Sequence, residues 1–184
     1  MVLENAKKED LPFVKQLYLS AFPKEERPPF FLLRRGLARQ GGVLLVAKEQ
    51  DLRLGFAYLI STKSLGYLFF FAMEENCRNL GYGSQVLGLL KEKYAKQRLF
   101  LAREVLDPTA ENYSQRMRRH RFYLRNGFVD MPCQIQEGPV VFDVMGIGGE
   151  ISTQEYADLM DAWGGKWLRK VIPMKMIKNK SLQL

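Results

Sequence analysis

Residues 66–84 constrain this chain more than any other stretch. Residues 66–73 read GYLFFFAM, apolar nearly throughout, which suits a strand buried on both faces. A polar turn follows, and then Arg78-Asn79-Leu80-Gly81-Tyr82-Gly83-Ser84 opens a helical pattern over residues 83–97. Val86 or Leu87, with Leu90 and Tyr94, forms the inward stripe of that helix. Glycines at alternate positions let the main chain approach a ligand closely. The helix start adds unpaired N–H groups and the positive end of its dipole. Arg78 adds a forked cation and Ser84 a hydroxyl. A strand, this turn and a helix together predict a pyrophosphate site built largely from backbone.

Two other phosphate motifs are excluded. No G-x-x-x-x-G-K-[ST] run occurs, and Val86 stands where a dinucleotide turn needs its third glycine. A glycine pair alone is weak evidence, so the elements around it matter.

Seven strands are expected, at residues 2–7, 43–48, 54–61, 66–73, 99–105, 129–136 and 140–147. Helices are expected from Leu11 to Ala21 with Asp10 as cap, over residues 30–40 and 83–97, in the arginine-rich stretch closed by Asn126-Gly127, and over residues 153–163. This alternation predicts an α/β or α+β domain with a mixed sheet. At 184 residues the chain fits one domain. Residues 1–147 form its core, and residues 148–184 add a helix and a basic tail. Trp163, Trp167, Leu168, Val171 and Ile172 in that extension are candidates for burial against a second subunit, making a homodimer.

The turn resembles the acyl-CoA signature [Q/R]-x-x-G-x-[G/A] of the GNAT acetyltransferases, matched by Arg78, Gly81 and Gly83. A second stretch agrees: Arg121-Phe122-Tyr123-Leu124-Arg125-Asn126-Gly127-Phe128 is similar to the family's helix ending in F-Y-x-x-x-G-F. The resemblance runs from about Val2 to Ile147. It implies a GNAT fold: a twisted, mostly antiparallel sheet of six to seven strands flanked by helices, with a C-terminal helical extension. It also implies acetyl-CoA as cosubstrate, no metal, and transfer of acetyl to a primary amine.

Residue by residue, the resemblance gives Phe71, Ala72 and Met73 the pantetheine arm, held by main chain as an added strand. Arg78, Asn79, Leu80, Gly81, Tyr82, Gly83 and Ser84 receive the pyrophosphate. Tyr123 matches the tyrosine that protonates the departing thiolate in many members, against the plainer reading of a packed core aromatic. Glu104 shares a strand face with Phe100 and Ala102 by the two-residue period. It is expected to be a base, an ammonium anchor, half of an ion pair with Arg103 or a neighbouring arginine, or exposed at the strand end. Glu25 and Glu26 lie in the connection that lines the family's acceptor cleft, so they either select a cationic acceptor or form a solvated turn. His120 is expected to be structural, and Cys77 has no partnering base nearby in sequence.

The net charge is +8. Five arginines crowd residues 112–126, and six Lys or Arg residues lie between 162 and 184, both stretches without an acid. The first set suits CoA phosphates, with Arg116, Arg118 and Arg119 as candidates. The rival readings are a basic protein associated with nucleic acid and a GNAT fold that binds acyl-CoA without transferring. No nucleic-acid-binding signature is present, so specific nucleic-acid binding is not expected. One histidine and two cysteines give neither a zinc set nor a disulfide framework, and no apolar run reaches membrane-spanning length, so a cytoplasmic protein without membrane contact is expected.

Overall fold

A computed structural model of the protein describes residues 1–39, 41–166 and 172–178. Eight strands form one sheet: β1 (Val2–Asn5), β2 (Gly42–Glu49), β3 (Leu52–Ser61), β4 (Leu65–Met73), β5 (Arg98–Glu104), β6 (Val129–Glu137), β7 (Val140–Ile147) and β8 (Met174–Lys178). Their order is β1-β2-β3-β4-β5-β7-β6-β8. Every pair is antiparallel except β4–β5.

The sheet has one strand more than the six to seven expected. The extra strand, β8, comes from the segment read as a basic tail. Met174 and Met176 are buried there while Lys175 is exposed, so a two-residue alternation was hidden by its lysines.

Five helices cover the two faces: α1 (Leu11–Ala21), α2 (Phe30–Leu37), α3 (Tyr82–Lys93), α4 (Tyr113–Arg125) and α5 (Thr153–Gly164). On one face Val14, Leu17 and Tyr18 of α1, Leu33 of α2, and Tyr156, Leu159, Met160 and Trp163 of α5 pack on Phe56, Tyr58, Tyr67 and Phe100. On the other, Val86, Leu87, Leu90 and Tyr94 pack on Leu45, Ala57, Leu59, Leu68 and Leu101, with Phe122 and Tyr123 of α4 beside them.

Two expectations are revised. Asp10 occupies the N-cap position of α1, as expected, but its side chain makes no capping hydrogen bond. It is fully buried, accepts from the Lys7 amide at 2.9 Å, and pairs with Lys48 and with Arg53 at 2.7 Å. A charge so buried persists only when paired, which explains the cluster. Trp163 faces its own core, where its Nε1 donates to the Tyr58 hydroxyl at 2.7 Å, and Ile172 packs against the same core. Trp167, Leu168 and Val171 lie outside the described residues.

One irregularity positions everything that follows. β4 and β5 pair only from Leu65↔Arg98 to Leu68↔Leu101. The β3–β4 register shifts between Tyr58 and Leu59, leaving Phe69 as the extra residue of a bulge. A bulged strand bends, and here it bends where the β4–β5 pairing stops. From Phe70 to Met73, β4 stays paired with β3, while its other edge faces a notch instead of β5.

Candidate active site

A cavity of about 940 Å³ fills that notch. Its cofactor-like half is walled by Phe71, Ala72 and Met73 of β4, by Arg78, Asn79, Gly81, Gly83 and Ser84, and by Arg118 and Tyr123 of α4. Leu80, Tyr82 and Glu25 do not line it. Leu80 points to solvent, and the Tyr82 hydroxyl instead donates to Glu49 Oε2 at 2.8 Å, tying the start of α3 to the end of β2.

The turn has the geometry its glycines suggest. Gly81 sits at φ +86° as N-cap of α3, a conformation costing other residues about 1–2 kcal/mol. Asn79, at φ +61°, is the residue type that best tolerates that region. The Ser84 and Gln85 amides both turn to the Gly81 carbonyl, at 3.0 and 3.1 Å. The amides of Gly81, Tyr82 and Gly83 have no backbone acceptor among the described residues. A Cβ built on Gly81 meets nothing within 4 Å. Free donors, open space and a helix N-terminus fit a pyrophosphate. Arg78 is anchored through Nε to the Met73 carbonyl at 3.1 Å, which holds its guanidinium beside the turn. Ser84 Oγ accepts from Asn126 Nδ2 at 3.2 Å, bracing α3 against the end of α4.

Tyr123 lines the notch. Burial pushes its phenol up to about 12, partly opposed by Arg119, so it is protonated at any physiological pH. No hydrogen bond among the described residues engages its hydroxyl.

Beyond Tyr123 the walls change to Phe22, Glu26, Tyr67, Phe70, Glu104 and Phe142. Glu104 is ion-paired, with Arg119 and with Arg116 at 3.5 Å, and it accepts from Asn112 Nδ2 at 3.0 Å. Arg103 is engaged elsewhere, with Asp130 and Asp143 at 3.0 Å each. Thus two of the three arginines proposed for CoA phosphates turn to Glu104, while Arg118, Arg119 and Arg125 line the cavity. Glu26 faces the same space; burial, then the Glu104 charge, raises its carboxyl above the ordinary range. His120 is paired with Asp130 at 2.8 Å, a structural contact.

Residues 40–130, a stretch that contains both motifs, match the model of the GNAT acetyltransferase domain. The fold is that of the GNAT acetyltransferases. Solved structures place the fold beyond those residues. A GNAT-family acetyltransferase from Bacteroides thetaiotaomicron superposes with a TM-score of 0.68 at 23% identity, covering 89% of this chain and 99% of that one. A GNAT-family acetyltransferase from Elizabethkingia anophelis with acetyl-CoA bound gives 0.54 at 18% identity, over 79% and 94%. A spermidine N-acetyltransferase chimera from Vibrio cholerae and hSSAT gives 0.61 at 15%, over 80% and 96%. Identities this low establish the fold alone. Among curated proteins none matches the chain. No helix among the described residues is long and apolar enough to cross a membrane.

Sequence reasoning missed one group on the cavity wall. Glu137, read as part of a turn, ends β6 on the cavity wall. Its Oε1 accepts from the Tyr67 hydroxyl at 2.8 Å and the Tyr156 hydroxyl at 3.0 Å. Burial pushes its carboxyl up to about 7, against the pull of the two phenols. A signal was available. Tyr67 lies in a strand expected to be buried on both faces, and a buried phenol needs a polar partner.

Proposed function

We propose that the chain moves an acetyl group from acetyl-CoA to a primary amine by direct attack of the nitrogen on the thioester. The parting of β4 from β5 is the observation that carries this reading. It frees one main-chain edge of Phe70–Met73, and an extended amide-bearing chain such as pantetheine hydrogen-bonds to such an edge as a strand does. The amides of Gly81, Tyr82 and Gly83 lie at the end of that path, where the pyrophosphate belongs, with Arg78 and Arg118 to balance its charge.

The thioester then lies beside Tyr123. As the amine attacks and the C–S bond breaks, negative charge grows on sulfur. The Tyr123 phenol donates to it and hands over its proton, and the second proton of the acylated nitrogen restores the phenol. Glu104 suits a charge-holding role better than a proton-accepting one. Protonating it would leave two guanidinium groups without their anion, so it orients Arg116 and Arg119 instead.

Acetyl-CoA is expected to stabilise the protein. A ligand at a hundred times its Kd contributes about 2.7 kcal/mol, a Tm shift of roughly 5–10 °C for a chain this long. Incubation with acetyl-CoA and a panel of primary amines, read by mass spectrometry, tests the transfer itself. Acetylated amine with free CoA formed in equal amount is the expected result. Thermal stabilisation without any product from the panel would favour a binder that does not transfer.

A further inference from the structure

The acceptor half of the cavity holds three carboxylates, Glu26, Glu104 and Glu137, among aromatic walls. Glu104 is ion-paired with Arg116 and Arg119. Glu137 is instead held by two phenols from separate elements, Tyr67 of β4 and Tyr156 of α5. The extension beyond residue 147 builds this seat. α5 supplies Tyr156, and β8 pairs Glu137 with Met174 while the Gly138 amide donates to the Pro173 carbonyl at 2.8 Å. Both phenols donate to Oε1, so Oε2 is the oxygen open to a ligand.

We infer that Glu137 seats the acceptor's ammonium and takes its proton, and that the acceptor is a primary amine on an apolar carrier with no carboxylate beside the nitrogen. This rests on the acetyl-transfer reading above. The amine reaches the cavity as an ammonium, which cannot attack because its lone pair holds a proton. Glu137 Oε2 accepts that proton, giving a neutral carboxylic acid and a neutral amine. The nitrogen then attacks the thioester carbonyl, and Glu137 releases its proton to solvent after turnover. The neutral acid suits the apolar surroundings of Tyr67, Phe100 and Tyr156, which is why burial pushes this carboxyl up to about 7. A group of that acidity is a usable base at neutral pH.

The surroundings choose the acceptor. Phe22, Tyr67, Phe70 and Phe142 face its carbons. Glu26 and Glu137 repel a carboxylate beside the nitrogen, while the nearby Arg116 and Arg119 are already committed to Glu104.

Steady-state kinetics on the full chain with 2-phenylethylamine and phenylalanine test both halves, because these differ only in the carboxylate. The amine without a carboxylate is expected to have a kcat/KM at least tenfold higher; equal or better use of phenylalanine overturns the acceptor class. With 2-phenylethylamine, kcat/KM should rise with pH through about 7, where Glu137 becomes ionised. Glu137→Gln keeps an oxygen for both phenols but removes the base. Its kcat/KM should fall roughly 10²–10⁴-fold with the acid limb abolished and CoA binding unchanged. Tyr156→Phe removes one donor to the carboxylate and should move the limb to higher pH, which a purely structural contact would not do. Glu137→Gln with native activity and an intact acid limb overturns the Glu137 assignment. Wild-type protein that acetylates neither amine nor any other of the panel, or fails to bind acetyl-CoA, sinks the acetyl-transfer reading instead.

Discussion

Tyr123→Phe is expected to lower kcat by roughly 10²–10⁴ with CoA affinity nearly unchanged. The ring stays packed against Phe122 and Phe128, at centroid distances of 5.2 and 5.9 Å, so the fold and the cavity wall survive. Only the proton is lost. Because burial keeps the phenol protonated up to about pH 12, the wild-type rate should show no decline from Tyr123 ionisation anywhere below pH 10. Single-turnover kinetics beside a CoA titration separate the two quantities. An unaltered kcat in the variant removes Tyr123 as the acid and leaves water to protonate the thiolate.

Gly83→Val should weaken CoA binding at least about 100-fold. That equals roughly 2.7 kcal/mol, about one or two hydrogen bonds to a charged group. Gly83 has ordinary helical φ, so the change does not strain the backbone. A Cβ there would lie 3.2 Å from Phe122 Cζ and 3.8 Å from Met73 Cγ, which places valine's methyls between α3 and α4 beside the phosphate turn. Gly81 is the poorer test, because its positive φ makes any side chain costly to the fold as well as to the ligand. Unchanged CoA affinity in Gly83→Val, with native thermal stability, would mean that the phosphates bind elsewhere.

What could be read in the sequence divides along a physical line. The strand at residues 66–73, the glycine turn and the stripe Val86, Leu87, Leu90 and Tyr94 are local patterns, and they appear where period and turn chemistry put them. Glu104 shares its face with Phe100 and Ala102, as alternation requires. Its partners Arg116 and Arg119 depend on how α4 rotates over the sheet edge, which no local pattern specifies. Glu137 is the extreme case. Its significance comes from Tyr67, 70 positions away, and from Tyr156 in a helix outside the recognised motifs. The bulge at Phe69 that opens the cavity leaves no mark in a run of three phenylalanines.

Isothermal titration of the protein with acetyl-CoA tests the central claim most directly, since every assigned role depends on that ligand entering the notch between β4 and β5. The account predicts saturable binding of one acetyl-CoA per chain, weakened at least about 100-fold by Gly83→Val and unchanged by Tyr123→Phe. Absence of binding at millimolar acetyl-CoA by a folded protein would contradict it.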